Sequence, residues 1–332
     1  MIGFHEPTGS LYAEEQSPIN KSSLSEFLLL QFSDVRELQI LHFIVFLIFY
    51  LTAVTGNLLI VSTIVSDYHL HTPMYFFLMN LAIQDVGQIS VILPVSMVNS
   101  LRNDSHISYS GCVAQVLFNV FFLASNCSLL TVMACDRYVA ICKPLQYETL
   151  VNKYACFQMV TAVWIISLFY GVLHTIGTFV SPFCSNSVNQ FFCEIPHLLK
   201  LACSNLYLIE IAILLLSAVV AMSCFVFIVV SYMYILTTVM RFPAGQGRKR
   251  AFSTCLPHLS VLSVFVFTSY PSYFKSASDS PSSLDLSLTM IYTMVPPLMN
   301  PLIYSLRNRE LKSALKNLLG LKFFLVNRKI LP

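Results

Sequence analysis

An acidic and a basic side chain, Asp136 and Arg137, are adjacent at the end of a long apolar stretch. Charged groups in or beside hydrocarbon are costly, so an acid–base pair in such a place indicates a functional element. The competing interpretation is that Arg137 is an anchor whose side chain reaches the membrane surface, with Asp136 as its local partner. The organisation of the rest of the chain has to decide between these two interpretations.

Three further polar side chains, Asn57, Asp85 and Asn300, lie inside other apolar stretches. At similar depth in a helical bundle they can satisfy one another's hydrogen bonds and could hold a water molecule or a Na⁺ ion. A purely structural polar cluster is the alternative. We therefore expect a polar core around Asp85, with Na⁺ as its candidate ligand, and no other cofactor or metal.

The elements that carry these residues must be membrane helices. Hydrophobic residues make up 56% of the 332 residues and charged residues 11%, and the mean hydropathy is +0.71. A soluble globule does not have this composition. Seven apolar stretches exceed the roughly 20 residues that cross a ~30 Å hydrocarbon layer. They are 40–65, 74–101, 113–141, 155–180, 206–236, 252–274 and 286–306.

Only helices satisfy their own backbone in lipid, and nothing in the chain alternates like the strands of a barrel. After the last stretch, residues 307–320 place leucines on one face of a helix. The sequence therefore predicts an all-α membrane protein. Its fold would be a seven-transmembrane-helix bundle with a short amphipathic helix after the seventh span, lying on the membrane.

The distribution of Lys and Arg predicts the orientation of the bundle. These residues are concentrated in the second and third loops of one side and in the tail, and are sparse in the opposite loops. Basic loops stay in the cytoplasm, so the N-terminus is expected to face outward. We expect an extracellular segment 1–39, a transmembrane domain 40–306 and a cytoplasmic tail 307–332, in a multi-pass plasma-membrane protein. The first helix would act as signal anchor, because the apolar run 27–30 is too short for a signal peptide.

The outer side carries marks of the secretory pathway. Asn20 begins a glycosylation sequon in the N-terminal segment, and Asn103 begins a second one, close to the membrane. Four cysteines are expected in the oxidising compartment and suggest two disulfides, whose three possible pairings stay open at this point. They are Cys112, Cys184, Cys193 and Cys203. A zinc site suits them poorly, because their spacings are long and His197 is the only nearby imidazole.

Short motifs in this sequence match those of a known family. The triplet Asp136-Arg137-Tyr138, the segment 300–304 (Asn-Pro-Leu-Ile-Tyr) and the seven spans resemble the rhodopsin-like G-protein-coupled receptors. In finer detail the chain resembles the vertebrate olfactory receptors over nearly its whole length. The segments that carry this likeness, in the expected order, are 70–78, 133–145, Ser231-Tyr232, 251–259 and 301–308. Segments that are similar to family 14 of the tetrapod-type receptors are His174-Thr175, 191–196 and 292–294.

This resemblance implies a signalling mechanism. At rest Arg137 would be held by Asp136, and on activation it would line a cavity for the C-terminal helix of a G protein. The implied switch comprises Asp136, Arg137, Tyr138, Tyr232, His258, Asn300, Pro301 and Tyr304. The implied partners are a small volatile odorant, the olfactory stimulatory G protein, which raises cAMP, and membrane lipid. The implied disulfides are Cys112–Cys193 and Cys184–Cys203.

The resemblance also places a ligand pocket between the outer halves of spans three, five, six and seven. The candidate lining is Asn119, Val120, Leu123, Ala124, Leu216, Ser217, Val220, Ser269, Tyr270, Tyr273, Met290 and Thr293. This lining is apolar with scattered hydroxyls and one amide, and it carries no formal charge, which suits a small neutral ligand. Ordinary helix packing is the alternative for each of these residues.

Two positions depart from the family's usual pattern. Cys135 stands before Asp136 where members usually carry Tyr, which changes packing and leaves the acid–base pair in place. Val266 stands in span six where members usually carry a Tyr that is assigned to the pocket floor and to triggering. That trigger assignment therefore does not transfer to this chain.

Other function classes fit the sequence less well. An amine receptor would need a carboxylate near Asn119, and the sequence has none there. A transporter would show repeated halves and several charges at the membrane midplane in addition to Asp85. An enzyme is not expected, because the short histidine and glycine repeats at 69–71 and 245–247 are too small for a metal or phosphate site. No basic–aromatic pattern indicates nucleic acid. A rhodopsin-like receptor for a non-odorant small molecule outside olfactory tissue stays the alternative, because a sequence does not report expression.

Overall fold

The computed structural model describes residues 25–33, 35–102, 104–241 and 283–330, together with the single positions 245, 255, 259, 260 and 263. Within this part of the chain, five helices are long and apolar enough to cross a membrane. They are α1 (Arg36–Ser66), α2 (Pro73–Arg102), α3 (Tyr109–Cys142), α5 (Lys153–Phe179) and α7 (Tyr207–Met240). These helices coincide with the first five predicted spans to within a few residues at each end.

The remaining helices are shorter or less apolar. They are α4 (Tyr147–Leu150), α6 (Ile195–Leu199), α8 (Ser283–Arg307) and α9 (Arg309–Ile330). Helix α8 covers the seventh predicted span, whereas most of the sixth, 252–274, lies outside the described residues. Helix α9 extends the predicted tail helix to Ile330. Its buried and half-buried side chains recur at helical spacing, at Leu311, Ala314, Leu315 and Leu318, so one face of α9 is apolar.

Side chains at the helix ends explain where several helices begin. The Ser108 hydroxyl accepts a hydrogen bond from the Gly111 amide at 3.1 Å and caps α3. The Asn152 side chain accepts from the Ala155 amide at 2.9 Å and caps α5. Ser and Asn are preferred at this position because they satisfy a backbone N–H that has no partner inside the helix. The loop-to-helix boundaries are therefore encoded locally.

Helix α3 lies at the centre of the described bundle. It contacts α2, α5 and α7, while α1 packs against α2 and α8. The close approach of α5 to α3 depends on Gly171, because a Cβ at this residue would lie 2.9 Å from the Leu117 carbonyl oxygen. Small residues allow such approaches between membrane helices. Helix α3 is thus packed against three other helices of the described bundle.

Residues Glu26–Leu29 form a strand that covers the end of the bundle where α3 begins. Strand β1 (Glu26–Leu29) lies between β2 (His106–Ser108), which is antiparallel to it, and β3 (Ser187–Val188), which is parallel. Phe27 pairs with Ile107 and is fully buried. The short apolar run 27–30 thus packs onto the bundle. Helix α1 begins at Arg36, so the end of the predicted segment 1–39 is helical.

Two disulfides fix the loop between α5 and α7, the predicted second outer loop. Cys112, in the first turn of α3, is joined to Cys193, and Cys184 is joined to Cys203, each with a Cα–Cα distance of 5.5 Å. This is the pairing that the resemblance implies. Around the first bridge the loop turns into the bundle, where Phe191 and Phe192 are buried beside Ile92. The loop therefore forms part of the core at the outer end.

Candidate functional site

The acid–base pair lies near the C-terminal end of α3 and is shielded from its surroundings. Arg137 Nε donates to Asp136 Oδ2 at 2.8 Å, and Arg137 Nη2 contacts the same oxygen. The side chains are 13% and 2% exposed, respectively. A guanidinium that reached the membrane surface as an anchor would be exposed. Hydrogen bonds between ionised partners are stronger than neutral ones, so this geometry holds Arg137 against its own helix.

A tyrosine from the following loop completes the site. The Tyr147 hydroxyl donates to Asp136 Oδ1 at 2.8 Å, so both carboxylate oxygens are engaged. Burial raises the pKa of the Tyr147 phenol, and the negative charge of Asp136 raises it further. The phenol therefore stays protonated and remains a donor at physiological pH. Sequence reasoning missed this residue; its signal is Pro144, which starts a helical turn just before Tyr147.

We expect Tyr147→Phe to raise the basal cAMP signal about two- to tenfold. The substitution removes one hydrogen bond that stabilises the resting pair, and a typical hydrogen bond contributes a net of about 0.5–1.5 kcal/mol. The measurement is basal cAMP in cells that carry equal amounts of receptor at the surface. Tyr154→Phe is the matched control, because Tyr154 is exposed on α5. Equal basal signals for Tyr147→Phe and the unchanged receptor would show that the loop does not restrain the switch.

The structure describes most of the other predicted switch residues and shows what they contact. Tyr232 and Tyr304 are buried in the same apolar cluster as Ala134 and Val139 of α3. Tyr138 packs against the ring of Tyr234, with ring centroids 6.2 Å apart. His258 lies outside the described residues. The C-terminal parts of α3, α7 and α8 thus share one cluster, in which tyrosines lie near the acid–base pair.

The predicted polar core joins α1, α2 and α8. Asn300 Nδ2 donates to Asp85 Oδ2 at 2.7 Å, and both side chains are buried. Asn57 Nδ2 donates to the Pro297 carbonyl oxygen at 2.9 Å. That carbonyl has no helical donor, because Pro301, four residues later, lacks an N–H. A proline inside α8 therefore provides the acceptor that the buried asparagine of α1 binds.

Several oxygens of this core have no partner within the described residues. They are Asp85 Oδ1, Asn57 Oδ1 and Asn300 Oδ1. Buried oxygens of this kind require a hydrogen-bond donor or a cation. Hard cations take oxygen ligands, and Asp85 supplies a negative charge. The residues present therefore fit a Na⁺ ion or ordered water.

A further set of polar contacts, which sequence reasoning also missed, links the start of α2 to the start of α9. The buried Tyr75 hydroxyl lies 3.0 Å from Asn308 Oδ1 and 2.9 Å from Glu310 Oε2. Asn308 Oδ1 also accepts from the amides of Glu310 and Leu311, so it caps α9. These hydrogen bonds connect the junction between α8 and α9 to the start of α2.

The predicted pocket residues fall into four groups. Asn119 and Thr293 are buried, and the half-buried set is Val120, Leu123, Ala124, Ser217 and Met290. Leu216 and Val220 are 65% and 54% exposed, so they face outward from the described bundle. One step along a helix turns the side chain by about 100°, which directs Ser217 inward and its neighbour Leu216 outward. Ser269, Tyr270 and Tyr273 lie outside the described residues.

In the described part of the chain, five helices long and apolar enough to cross a membrane, with a shielded acid–base pair at one end of the central helix, define a multi-pass helical membrane protein. A sequence model of the family described as olfactory receptor matches residues 46–322. The chain is 47% identical to human olfactory receptor 14C36 over 309 residues, 93% of this chain and 99% of that protein. It is 46% identical to human olfactory receptor 14J1, covering 91% of this chain and 94% of that protein. It is 41% identical to gorilla olfactory receptor 1G1, covering 91% and 97%.

The chain belongs to the olfactory receptor family. The predicted resemblance is confirmed, including the likeness to family 14. Members of this family are signalling receptors with seven membrane-spanning helices, not enzymes, so the predicted bundle and receptor function hold. The five spanning helices and α8 of the described residues fit that architecture.

Proposed function

We propose that this receptor binds small, mostly apolar volatile molecules between the outer halves of its helices and activates an olfactory-type stimulatory G protein, which raises cAMP. The observation that carries the proposal is the shielded Asp136–Arg137 pair, held by Tyr147, in a chain of this family. A shielded pair at the inner end of α3 is suited to output, because it lies far along the helix from Asn119 and Val120.

Activation requires an odorant to bind the active arrangement more tightly than the resting one. Moving a two-state equilibrium from 1:99 to 99:1 takes about 5.5 kcal/mol of differential affinity. In the active arrangement Arg137 leaves Asp136 and, with Tyr232 and Tyr304, lines the cavity for the G protein. The Asp136–Arg137 pair and Tyr147 therefore stabilise the resting arrangement. The odorant has to supply the free energy that overcomes this stabilisation.

The orientation proposed for the receptor puts the N-terminus outside the plasma membrane. The strand β1, both disulfides and the start of α3 lie at the same end, as expected for the oxidising side. Basic residues are concentrated at the opposite end. Glycosylation is proposed at Asn20, with Asn103 as a second site; both lie outside the described residues.

The test is a cAMP screen of chemically diverse odorants on cells that express the receptor. We expect neutral, small, apolar compounds among the activators, and no response in cells that carry Arg137→Ala at the same surface level. If only non-volatile or charged compounds raise cAMP, the alternative of a receptor for a different small molecule is correct. If no compound acts and a constitutively active variant fails to raise cAMP, the proposed coupling is wrong.

We also expect the polar core to bind Na⁺ at Asp85. The purified receptor should then gain thermal stability when NaCl replaces an equal concentration of choline chloride, because a ligand that binds only the folded state stabilises it. Asp85→Asn, which removes the charge and keeps the shape, should abolish the difference between the two salts. A salt effect that survives in Asp85→Asn would place the cation elsewhere.

A further inference from the structure

A buried histidine and a buried glutamate form a pair between α5 and α7. His174 Nδ1 lies 2.5 Å from Glu210 Oε1, and the two side chains are 2% and 0% exposed. Glu210 is in the first turn of α7, where the helix dipole favours a carboxylate. Sequence reasoning identified His174 only as part of a segment similar to family 14. The structure joins His174 and Glu210 across two membrane helices.

The second ring nitrogen of His174 is bound as well. His174 Nε2 lies 3.0 Å from the Ser217 hydroxyl oxygen. That hydroxyl donates its own proton to the Ile213 carbonyl at 2.7 Å, so it must accept a hydrogen bond from Nε2–H. The proton of Nε2 is thus committed to Ser217. A further proton must lie between Nδ1 and Glu210, because a bare ring lone pair would repel the carboxylate.

The surroundings fit this pair closely. The Tyr170 ring meets the imidazole edge-on, with centroids 4.5 Å apart. Glu210 Oε2 lies against Gly177 of α5, and a Cβ at Gly177 would collide with it. The carboxylate therefore occupies space that exists only because residue 177 has no side chain. We call Glu210, His174 and Ser217, in this hydrogen-bonded order, the α5–α7 clasp.

We propose that His174 is a positioning residue that withholds the Glu210 carboxylate and the Ser217 hydroxyl from ligand recognition. The proposal rests on the proposed function, because Ser217 belongs to the proposed odorant pocket. With Glu210 paired, this part of the pocket presents no free negative charge, so it favours neutral odorants over ammonium compounds. The Ser217 hydroxyl donates its proton to the Ile213 carbonyl, and its oxygen binds His174. The role of Ser217 is therefore to hold α7 in register with α5.

The energetics make the proposal testable through combinations of substitutions. Removing one partner of a buried charged pair leaves an uncompensated group and is strongly destabilising, whereas removing both is close to neutral. A side chain that only fills space behaves differently, because each loss then adds to the other. The pattern across single and double variants therefore distinguishes a clasp from ordinary packing.

The experiment uses the full-length receptor in cells, with surface level read by an antibody tag and no odorant present. His174→Gly should lower the surface level about tenfold, because it leaves the Glu210 carboxylate buried and unpaired. Glu210→Gln in the same background should restore most of it. Thr175→Val is the matched control and should stay within about twofold, because the Thr175 hydroxyl bonds only the Gly171 carbonyl of its own helix.

Chemical rescue adds a measurement that distinguishes a base at residue 174 from a side chain that only fills space. Imidazole in the medium should restore His174→Gly, whereas pyrazole, which has the same shape and is a much weaker base, should restore it less. Neither should act on the double variant. If pyrazole restores His174→Gly as well as imidazole does, or if the double variant is worse than the single one, the clasp is overturned.

The specificity claim is tested on purified protein with n-hexylamine. We expect the amine to raise the thermal stability of His174→Gly, whose carboxylate is free, and to leave the unchanged receptor unaffected. Stabilisation of the unchanged receptor by the amine would show that Glu210 is open to ligands and would refute the proposal. None of these measurements uses an odorant or a G protein, so a failed odorant screen and a failed clasp are separate results.

Discussion

Arg137→Ala should reduce odorant-stimulated cAMP at least about tenfold at equal surface level. The guanidinium is the group that leaves Asp136 and contacts the G protein in the proposed mechanism, and alanine provides neither charge nor hydrogen bonds. Its loss also leaves Asp136 with Tyr147 alone, so the inner end of α3 loses the stronger of its two contacts. The measurement is a cAMP dose–response curve normalised to surface receptor.

The control for this prediction is Lys153→Ala, which removes an exposed cation at the start of α5. It should change the maximal response by less than about twofold, since exposed charges contribute little. If Arg137→Ala responded to odorant as the unchanged receptor does, the pair would be a structural feature of α3 and the competing anchor interpretation would be correct.

Cys112→Ser should remove most of the receptor from the cell surface. The Cys112–Cys193 bridge is fully buried and ties the start of α3 to the second outer loop, across a sequence separation of 81 residues. Removing a native disulfide typically costs about 2–5 kcal/mol, and a long closed loop makes the cost larger. The loop also contributes Phe191 and Phe192 to the core, so its release exposes apolar surface.

Two variants make this prediction specific. Cys184→Ser should have a smaller effect, because its bridge closes a loop of only 19 residues. Cys135→Ser, which changes an exposed free cysteine, should leave surface level within about twofold. Surface level is measured by flow cytometry on intact cells. Normal surface levels for Cys112→Ser and Cys193→Ser would mean that packing alone holds the loop.

The parts of the fold that the sequence predicts are those dictated by the membrane. A helix has to bridge the hydrocarbon with its own hydrogen bonds, so long apolar stretches locate the first five spanning helices to within a few residues. Helix starts are also local, as the caps at Ser108 and Asn152 show. The apolar face of α9 follows from leucine spacing alone.

Contacts between distant segments could not be predicted in the same way. The pairing of Phe27 with Ile107 depends on where the first outer loop passes, and a four-residue apolar run carries no such information. The Tyr147–Asp136 and His174–Glu210 contacts depend on loop paths and on the rotation of one helix against another. The cysteine residues alone left three pairings open, and only the resemblance to the family selected between them.

The candidate pocket shows the same limit at the level of single residues. Matching positions along α7 gave Leu216, Ser217 and Val220; in the structure Ser217 contacts His174 of α5, whereas Leu216 and Val220 are exposed on the described bundle. The rotation of α7 that sets these exposures depends on contacts between helices, which the sequence pattern does not specify. The place of these residues in a ligand pocket stays a prediction.

The most direct test of the central claim compares basal cAMP without odorant in Asp136→Asn and Asp136→Asn/Arg137→Ala at equal surface level. The Asp136–Arg137 pair is claimed to hold the receptor at rest and to carry the output once released. We predict that Asp136→Asn raises basal cAMP several-fold, because the neutral amide binds Arg137 more weakly. The added Arg137→Ala should return the signal to background. An unchanged basal signal in Asp136→Asn, or a raised signal that persists without Arg137, would contradict the claim.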